Sequence, residues 1–135
     1  MEYLAFYEQH WSAYPDVIST LNDLKKNISI GIITNGNKVQ QLKKLTNVNI
    51  LHFFENNLII ISNEVGFSKP SLEIFAVAEQ RANTANKNIL FIGDSYSTDI
   101  EPALKSNWNA LIIDRARANS DETTINGLGE IANFV

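Results

Sequence analysis

Cysteine is absent from the 135-residue chain, and histidine occurs only twice. Without cysteine the chain can form no disulfide, no thiolate nucleophile and no cysteine-based zinc site. The two histidines, His10 and His52, stand far apart without matching neighbours, so a histidine-based metal site is not expected. The lack of cysteine fits a cytoplasmic protein.

Positive charge and long apolar runs are scarce as well. The chain has 11 Lys and Arg against 15 Asp and Glu, a net charge of −4, and the basic residues do not cluster. A surface for nucleic acid is therefore not expected. No apolar run approaches the roughly 20 residues that span a membrane. A dinucleotide-binding domain is disfavoured because no G-x-G-x-x-G follows an apolar run.

Hydrophobic residues make up 44% of the chain and occur in two kinds of segment, which alternate along the sequence. Short, mostly β-branched runs predict strands buried on both faces of a parallel sheet, at residues 28–33, 58–61, 89–92 and 110–113. Segments with helical spacing lie between them. These helices are expected to open at Pro15, after the turn Asn35–Asn37, at Pro70, and at the capping box Thr98–Glu101. The alternation predicts one α/β domain with a parallel sheet.

The two ends of the chain have less regular patterns. Leu4, Tyr7 and Trp11 stand at helical spacing, so residues 3–12 are expected to be the end of a helix. Near the other end, Ile125 is expected in a short edge strand and residues 128–134 in a closing helix.

Polar residues suited to phosphoryl chemistry follow the predicted strands. Thr34-Asn35-Gly36 follows the strand predicted at residues 28–33, and Lys69 follows the strand at 58–61 after a short loop. Asp94 and Asp99 follow the strand at 89–92. Ligands of parallel sheets bind beyond the carboxyl ends of the strands, so these residues are expected to converge there. A hydroxyl and the amides at a helix start can hydrogen-bond a phosphate, a lysine adds fixed positive charge, and carboxylates are the oxygen donors that Mg²⁺ prefers.

Each of these features also has a structural explanation. Thr34-Asn35-Gly36 alone could be only a turn, and Lys69 before proline could be a solvated surface residue. Asp99 could be an acid in the first turn of a helix, where it interacts favourably with the helix dipole. Tyr96 and Trp108 are expected to be packing residues rather than substrate contacts. The ordered occurrence of all the signals after successive strands favours the functional interpretation.

The three segments together resemble the haloacid dehalogenase-like (HAD) superfamily of hydrolases. Residues 32–36 look like its second motif, 65–70 its third, and 92–99 its fourth. The pattern is similar to the subgroup with a helical cap inserted after the first motif, which includes phosphoglycolate phosphatases. Asn63-Glu64-Val65-Gly66 before the lysine is most similar to pyrimidine 5′-nucleotidase-like members.

The resemblance implies a role for each matching residue. Thr34, with Asn35 and Gly36, would bind the phosphoryl group, and Lys69 would stabilise its negative charge. Asp94 and Asp99 would hold Mg²⁺, Asp99 directly or through water. In the family, an aspartate of the first motif attacks phosphorus to form an aspartyl-phosphate, and a second aspartate two residues later is the general acid and base.

The first motif, Asp-x-Asp, does not occur in the chain. The resemblance therefore implies a Rossmann-like, three-layer α/β/α core from which the first, central strand and most of the helical cap are absent. Residues 1–14 are expected to be a remnant of the cap helix and its return linker, and residues 15–135 the core. Three arrangements remain open: the flanking strands pair directly, an N-terminal segment or another subunit fills the gap as in a strand-swapped dimer or other homo-oligomer, or the chain is a fragment.

Two functions are expected from this combination. The first is that of a Mg²⁺-dependent phosphomonoesterase for small phosphorylated metabolites, among them nucleoside monophosphates, in a truncated form that is inactive alone. The alternative is a non-catalytic phosphate-binding or assembly module derived from the same core.

Overall fold

The computed structural model describes residues 4–7, 15–47, 49–113 and 124–125. The strands are β1 (Leu4–Tyr7), β2 (Ser29–Thr34), β3 (Ile59–Ile61), β4 (Ile89–Gly93), β5 (Asn109–Ile113) and β6 (Thr124–Ile125). The α-helices are α1 (Pro15–Leu24), α2 (Lys38–Asn47), α3 (Ser62–Val65), α4 (Leu72–Ala82) and α5 (Glu101–Lys105). A π-helical turn (Tyr96–Ile100) precedes α5, and short 3-10 turns cover Leu51–Phe53, Asn56–Leu58 and Asn86–Asn88.

The strands form one parallel sheet in the order β3-β2-β1-β4-β5-β6. This is the strand order of doubly wound α/β folds, whose order reverses next to the first strand. The predicted fold class and the predicted strands of the core are confirmed. The expected edge strand at Ile125 is also confirmed, since Ile125 pairs with Ile113.

The two faces of the sheet carry two separate cores because neighbouring residues of each strand point to opposite faces. On one face Ile30, Ile32, Leu90 and Ile92 pack with Leu21 of α1. The opposite face packs against α4 and α5, through a cluster that includes Phe6, Ile33, Ile60, Phe75, Phe91, Ala103 and Trp108. The result is the expected three-layer α/β/α arrangement.

The helix expected over residues 3–12 is wrong where the structure describes it, because Leu4–Tyr7 is a strand. It lies between β2 and β4, with Phe6 level with Gly31 on one side and Phe91 on the other. These four residues therefore belong to the core sheet and not to a cap remnant. The remainder of the expected helix lies outside the described residues, and so does the boundary expected after residue 14, which stays a prediction.

Occupation of the central position by Leu4–Tyr7 corresponds to one of the three arrangements left open, a gap filled by an N-terminal segment. The unpaired backbone groups that an open gap would leave on two buried strands are thereby satisfied. No second copy is needed to complete the described part of the sheet, and the homo-oligomer stays a prediction.

Aromatic packing fixes the central strand against the helical layer. The Phe6 ring stacks on Trp108, with ring centroids 5.3 Å apart. Trp108 also meets Phe75 edge-on at 5.2 Å, and its indole N–H donates to Glu79 at 2.8 Å. Gly31 leaves the space that this arrangement needs, because a Cβ there would lie 2.5 Å from the Phe6 ring. Trp108 is therefore a packing residue, as expected.

Two helix starts differ from expectation. Helix α4 begins at Leu72 rather than at Pro70, with Ser71 as its N-cap. The helical segment after β4 is capped not by Thr98 but by Ser95, whose hydroxyl accepts from the backbone N–H of Thr98 at 3.3 Å. The expected helix at 128–134 lies outside the described residues. None of the helices that the structure describes has the length and apolar character needed to cross a membrane, and the cytoplasmic location stays a prediction.

Replacement of Phe6 tests the central strand directly. We expect Phe6→Ala to lower the free energy of unfolding by about 3–5 kcal/mol, because it removes a buried ring and leaves a cavity against Trp108. Val39→Ala, at a position 74% exposed, is the control and should stay within about 0.5 kcal/mol. Urea unfolding measures both. An effect of Phe6→Ala as small as that of the control would contradict the placement of this strand.

Candidate functional site

The loops that follow β2, β3 and β4 all leave the same edge of the sheet, because the three strands are parallel. Residues 35–37 follow β2, residues 66–71 follow β3 and the short helix α3, and residues 94–100, which include the π-helical turn, follow β4. The expected site residues are therefore brought to one edge, as the sequence predicted. The contacts between the loops decide which side chains are still available to a ligand.

A buried ion pair joins the loops after β3 and β4. The Lys69 ammonium lies 2.8 Å from Oδ1 of Asp99, and each side chain is only 1% exposed. The other carboxylate oxygen, Oδ2, accepts from the backbone N–H of Ser95 at 3.2 Å. The ammonium also lies 5.7 Å from the centre of the Phe91 ring. Both oxygens of Asp99 are thus engaged in holding its own loop and Lys69.

Burial lowers the pKa of the Lys69 ammonium from its ordinary value of 10.5. The negative charge of Asp99 and the hydrogen bond to it raise the pKa in part, and the charge of Asp94 raises it further. Desolvation prevails because a charged group loses its hydration when it is buried.

Gly93 makes room for the Asp99 carboxylate. A Cβ at this position would lie 2.6 Å from Oδ2 and 2.5 Å from the Cβ of Asp99. A side chain larger than hydrogen would therefore displace Asp99 and, with it, the ion pair. The glycine that ends β4 is required by this close approach.

Asn35 connects the loop after β2 to the backbone of Lys69. Its Nδ2 donates to the Lys69 carbonyl at 3.0 Å, and its Oδ1 accepts from the Lys69 N–H at 2.8 Å. The side-chain amide was expected at a phosphate, but it is bound here to the neighbouring loop.

Thr34 and Gly36 lie on either side of Asn35. Thr34 is 3% exposed, and its hydroxyl has only a long contact, 3.5 Å, to the Asn35 carbonyl. The N–H of Gly36 donates to the Ser62 hydroxyl at 2.8 Å. Gly36 has φ of 142°, and a Cβ on it would clash with the Gln41 side chain. The Thr34 hydroxyl therefore donates only a long hydrogen bond, which a phosphate oxygen could replace, whereas the Gly36 N–H is firmly engaged.

Ser62 and Gln41 were not among the predicted site residues. Gln41 is 7% exposed, and its Nε2 donates to the Asn35 carbonyl at 3.2 Å. Its place four residues before the buried Leu45, on the apolar side of α2, was the available signal, because a polar residue there needs a partner. For Ser62 the sequence gives no comparable signal.

Asp94 is the exposed acid of the site. Within the described part of the chain its carboxylate accepts no hydrogen bond and forms no ion pair, and it acts on Lys69 only through its charge. No cluster of three His, Cys, Asp or Glu that could hold a metal occurs among the described residues. Mg²⁺ often uses only one or two carboxylates and keeps several waters. The free carboxylate of Asp94 fits such an ion, while Asp99 would first have to release an oxygen or act through water.

Tyr96 differs from its expected role as a packing residue. It is 57% exposed, in the π-helical turn two residues after Asp94. Its ring therefore faces solvent on the same loop as the free acid.

Comparison with known proteins supports the resemblance to the haloacid dehalogenase-like hydrolases over most of the chain. The model of the haloacid dehalogenase-like hydrolases matches residues 3–113. The chain is 34% identical over 118 residues to the glyceraldehyde 3-phosphate phosphatase of Methanothermobacter thermautotrophicus, covering 85% of this chain and 51% of that protein. It is 39% identical over 87 residues to the pyrimidine 5′-nucleotidase YjjG of Escherichia coli, covering 64% and 38%.

Solved structures agree with the fold. A HAD phosphatase of Thermococcus onnurineus is 30% identical with a TM-score of 0.80, covering 89% of this chain and 56% of that one. The core domain of a phosphoglycolate phosphatase from Streptococcus pneumoniae, 20% identical with a TM-score of 0.74, is covered to 94% and shares the fold. The chain spans about half the length of the curated relatives it matches first.

Loss of the buried carboxylate should be strongly destabilising. We expect Asp99→Asn to lower the free energy of unfolding by about 3–5 kcal/mol, because it removes the negative charge that offsets the buried Lys69 ammonium. The exposed pair Glu101–Lys105, at 2.9 Å, supplies the control: Glu101→Gln should change stability by less than about 1 kcal/mol. Equal effects in urea unfolding would contradict the burial of the pair.

The lowered pKa of Lys69 has a consequence for stability at alkaline pH. Between that pKa and 10.5 the unfolded chain binds more protons at Lys69 than the folded chain does. The contribution of Lys69 to the free energy of unfolding should therefore rise with pH in this window. We expect the free energy of unfolding of the wild type, minus that of Lys69→Met, to increase as pH rises through this window. Urea unfolding at several pH values measures both. A difference that falls with pH would mean that the pKa is raised instead.

Proposed function

The chain belongs to the haloacid dehalogenase-like hydrolase family, and on that premise we propose that this sheet edge is the phosphate site of a Mg²⁺-dependent phosphomonoesterase. The observation that carries the proposal is the Lys69–Asp99 pair, which places a buried positive charge at the edge where the Thr34 hydroxyl and the free Asp94 carboxylate also lie. A hydroxyl donor, a cation and an acid suited to Mg²⁺ are together the groups that bind a phosphate dianion with its metal.

The proposed substrates are small phosphorylated metabolites. Relatives named as a glyceraldehyde 3-phosphate phosphatase and a pyrimidine 5′-nucleotidase support this class. The nucleotidase name extends the proposed class to nucleoside monophosphates. The lack of clustered basic residues argues against a nucleic acid, whose binding depends on many phosphate contacts.

Each residue has a distinct task in this proposal. Thr34 donates its hydroxyl hydrogen to a phosphate oxygen, and Lys69 supplies positive charge that offsets the charge of the phosphoryl group. Asp94 holds Mg²⁺, which would neutralise phosphate charge when bound. Asp99 keeps Lys69 in place. Since Thr34 and Lys69 are both almost fully buried, this end of the sheet must rearrange for a phosphate to reach them.

The 135-residue chain has no Asp-x-Asp, and so it lacks the aspartate that attacks phosphorus in the family. Without a nucleophile the covalent route to hydrolysis is closed. We therefore expect negligible turnover from the chain as it stands, although the other groups for phosphate binding are present.

The second candidate function is a phosphate-binding or assembly module that does not hydrolyse its ligand. The missing Asp-x-Asp favours it, and it requires the same Thr34, Lys69 and Asp94. The two functions differ only in whether a nucleophile is supplied by another polypeptide or by a longer form of the chain.

Calorimetry with inorganic phosphate and Mg²⁺ tests the site that both functions share. We expect saturable binding that weakens about tenfold or more in Lys69→Met, because a charge-assisted hydrogen bond is lost. Asp94→Asn should remove the Mg²⁺ dependence of binding. Lys26→Met and Asp23→Asn, at positions with side chains 68% and 77% exposed, are the matched controls and should bind as the wild type does.

Two results would overturn the proposal. The absence of phosphate binding, with and without Mg²⁺, would remove the site itself. Mg²⁺-dependent hydrolysis of p-nitrophenyl phosphate by the purified chain would instead contradict its expected inactivity, and would direct attention to another nucleophile.

A further inference from the structure

We propose that Asn35 is a positioning residue for Lys69 and that its side chain does not bind the phosphate. The inference rests on the proposed function only for its effect on phosphate affinity. The contacts between Asn35 and Lys69 stand without it.

The amide of Asn35 is matched to the backbone of Lys69 at both ends. Its nitrogen donates to the Lys69 carbonyl and its oxygen accepts from the Lys69 N–H, at 3.0 and 2.8 Å. Two hydrogen bonds to one residue fix both the distance and the orientation of the peptide planes. A phosphate could use only the second hydrogen of the same Nδ2, and only from an amide whose orientation is already set by the Lys69 backbone.

The turn that contains Asn35 is itself held by Gln41 and Ser62, two polar residues that have no role in the proposed phosphate site. Gln41 donates to the Asn35 carbonyl at 3.2 Å. Ser62 accepts from the N–H of Gly36 at 2.8 Å, and the Asn63 N–H donates to the Gly36 carbonyl at 3.2 Å. The turn after β2 therefore has little freedom to rotate the Asn35 side chain away from Lys69.

The consequence is a continuous path of constraints across the site. It runs from Gln41 in α2 through Asn35 to the Lys69 backbone, and from the Lys69 ammonium to Asp99 at 2.8 Å. The Lys69 side chain is long and has many rotamers, so its ammonium is placed only if its backbone is also held. Asn35 supplies that second anchor.

A double-mutant cycle distinguishes an action through Lys69 from a direct contact with phosphate. In the wild-type background, Asn35→Ala should weaken the binding of inorganic phosphate by about fivefold or more, measured by calorimetry with Mg²⁺. In the Lys69→Met background, the same change should have less than about a twofold effect. An equal loss in both backgrounds would overturn the proposal, because Asn35 would then act on the phosphate independently.

Asn57→Ala is the matched control. The Asn57 side chain also donates to a distant backbone carbonyl, that of Arg81, at 3.3 Å. Among the described residues, no hydrogen bond joins it to the site. It should leave phosphate affinity unchanged. A loss equal to that of Asn35→Ala would show that any such tether has the same effect, and would also overturn the proposal.

Amide hydrogen exchange tests the anchor in the absence of phosphate. Asn35→Ala should speed exchange of the Lys69 N–H by about fivefold or more relative to that of Ile92, since its acceptor is lost, and Asn57→Ala should not. If Asn35→Ala does not fold, Asn35→Asp keeps the acceptor but loses the donor to the Lys69 carbonyl, and a smaller acceleration is expected. Unchanged exchange in the folded variant overturns the proposal. If the wild type binds no phosphate, the proposed function fails and this measurement still decides the role of Asn35.

Discussion

A buried ion pair between two loops determines the arrangement of the whole site. Lys69 and Asp99 follow strands that are not neighbours, since β2 and β1 lie between β3 and β4. An unpaired charge in such a place would be strongly unfavourable, so the loop after β3 must reach across the sheet edge. The hydrogen bonds of Asn35 to the Lys69 backbone and the absence of a side chain at Gly93 both make this reach sterically and geometrically feasible.

The central strand has a different part in the same arrangement. Leu4–Tyr7 pairs with β2 and β4 and so sets the distance between the strands that carry Thr34 and Asp94. Its Phe6 ring joins the sheet to Trp108, and Gly31 is small enough to admit that ring. The strand supplies the backbone that the fold needs at this position, while the Asp-x-Asp of the family is absent from the chain. The central strand is thus present as a part of the sheet, although the family's nucleophile motif is not.

The sequence predicted the features that depend on local pattern. Runs such as residues 28–33, which are short, mostly β-branched and apolar, are typical of buried strands, and the order of Thr34, Lys69 and Asp94 at strand ends indicated their convergence. Leu4–Tyr7 was misjudged because four residues carry little periodicity, and their strand depends on pairing with distant segments. The engagement of Asn35 by Lys69 and of Gly36 by Ser62 could not be predicted for the same reason, since the partners lie 34 and 26 residues apart.

The central claim is that the three loops form one phosphate site around the Lys69–Asp99 pair. A crystal structure of the chain grown with inorganic phosphate and Mg²⁺ tests it most directly. The account predicts a phosphate oxygen within hydrogen-bonding distance of both the Thr34 hydroxyl and the Lys69 ammonium, a cation at Asp94, and the Asn35 amide still bound to the Lys69 backbone. A phosphate bound elsewhere, with Lys69 and Asp99 apart, would contradict it.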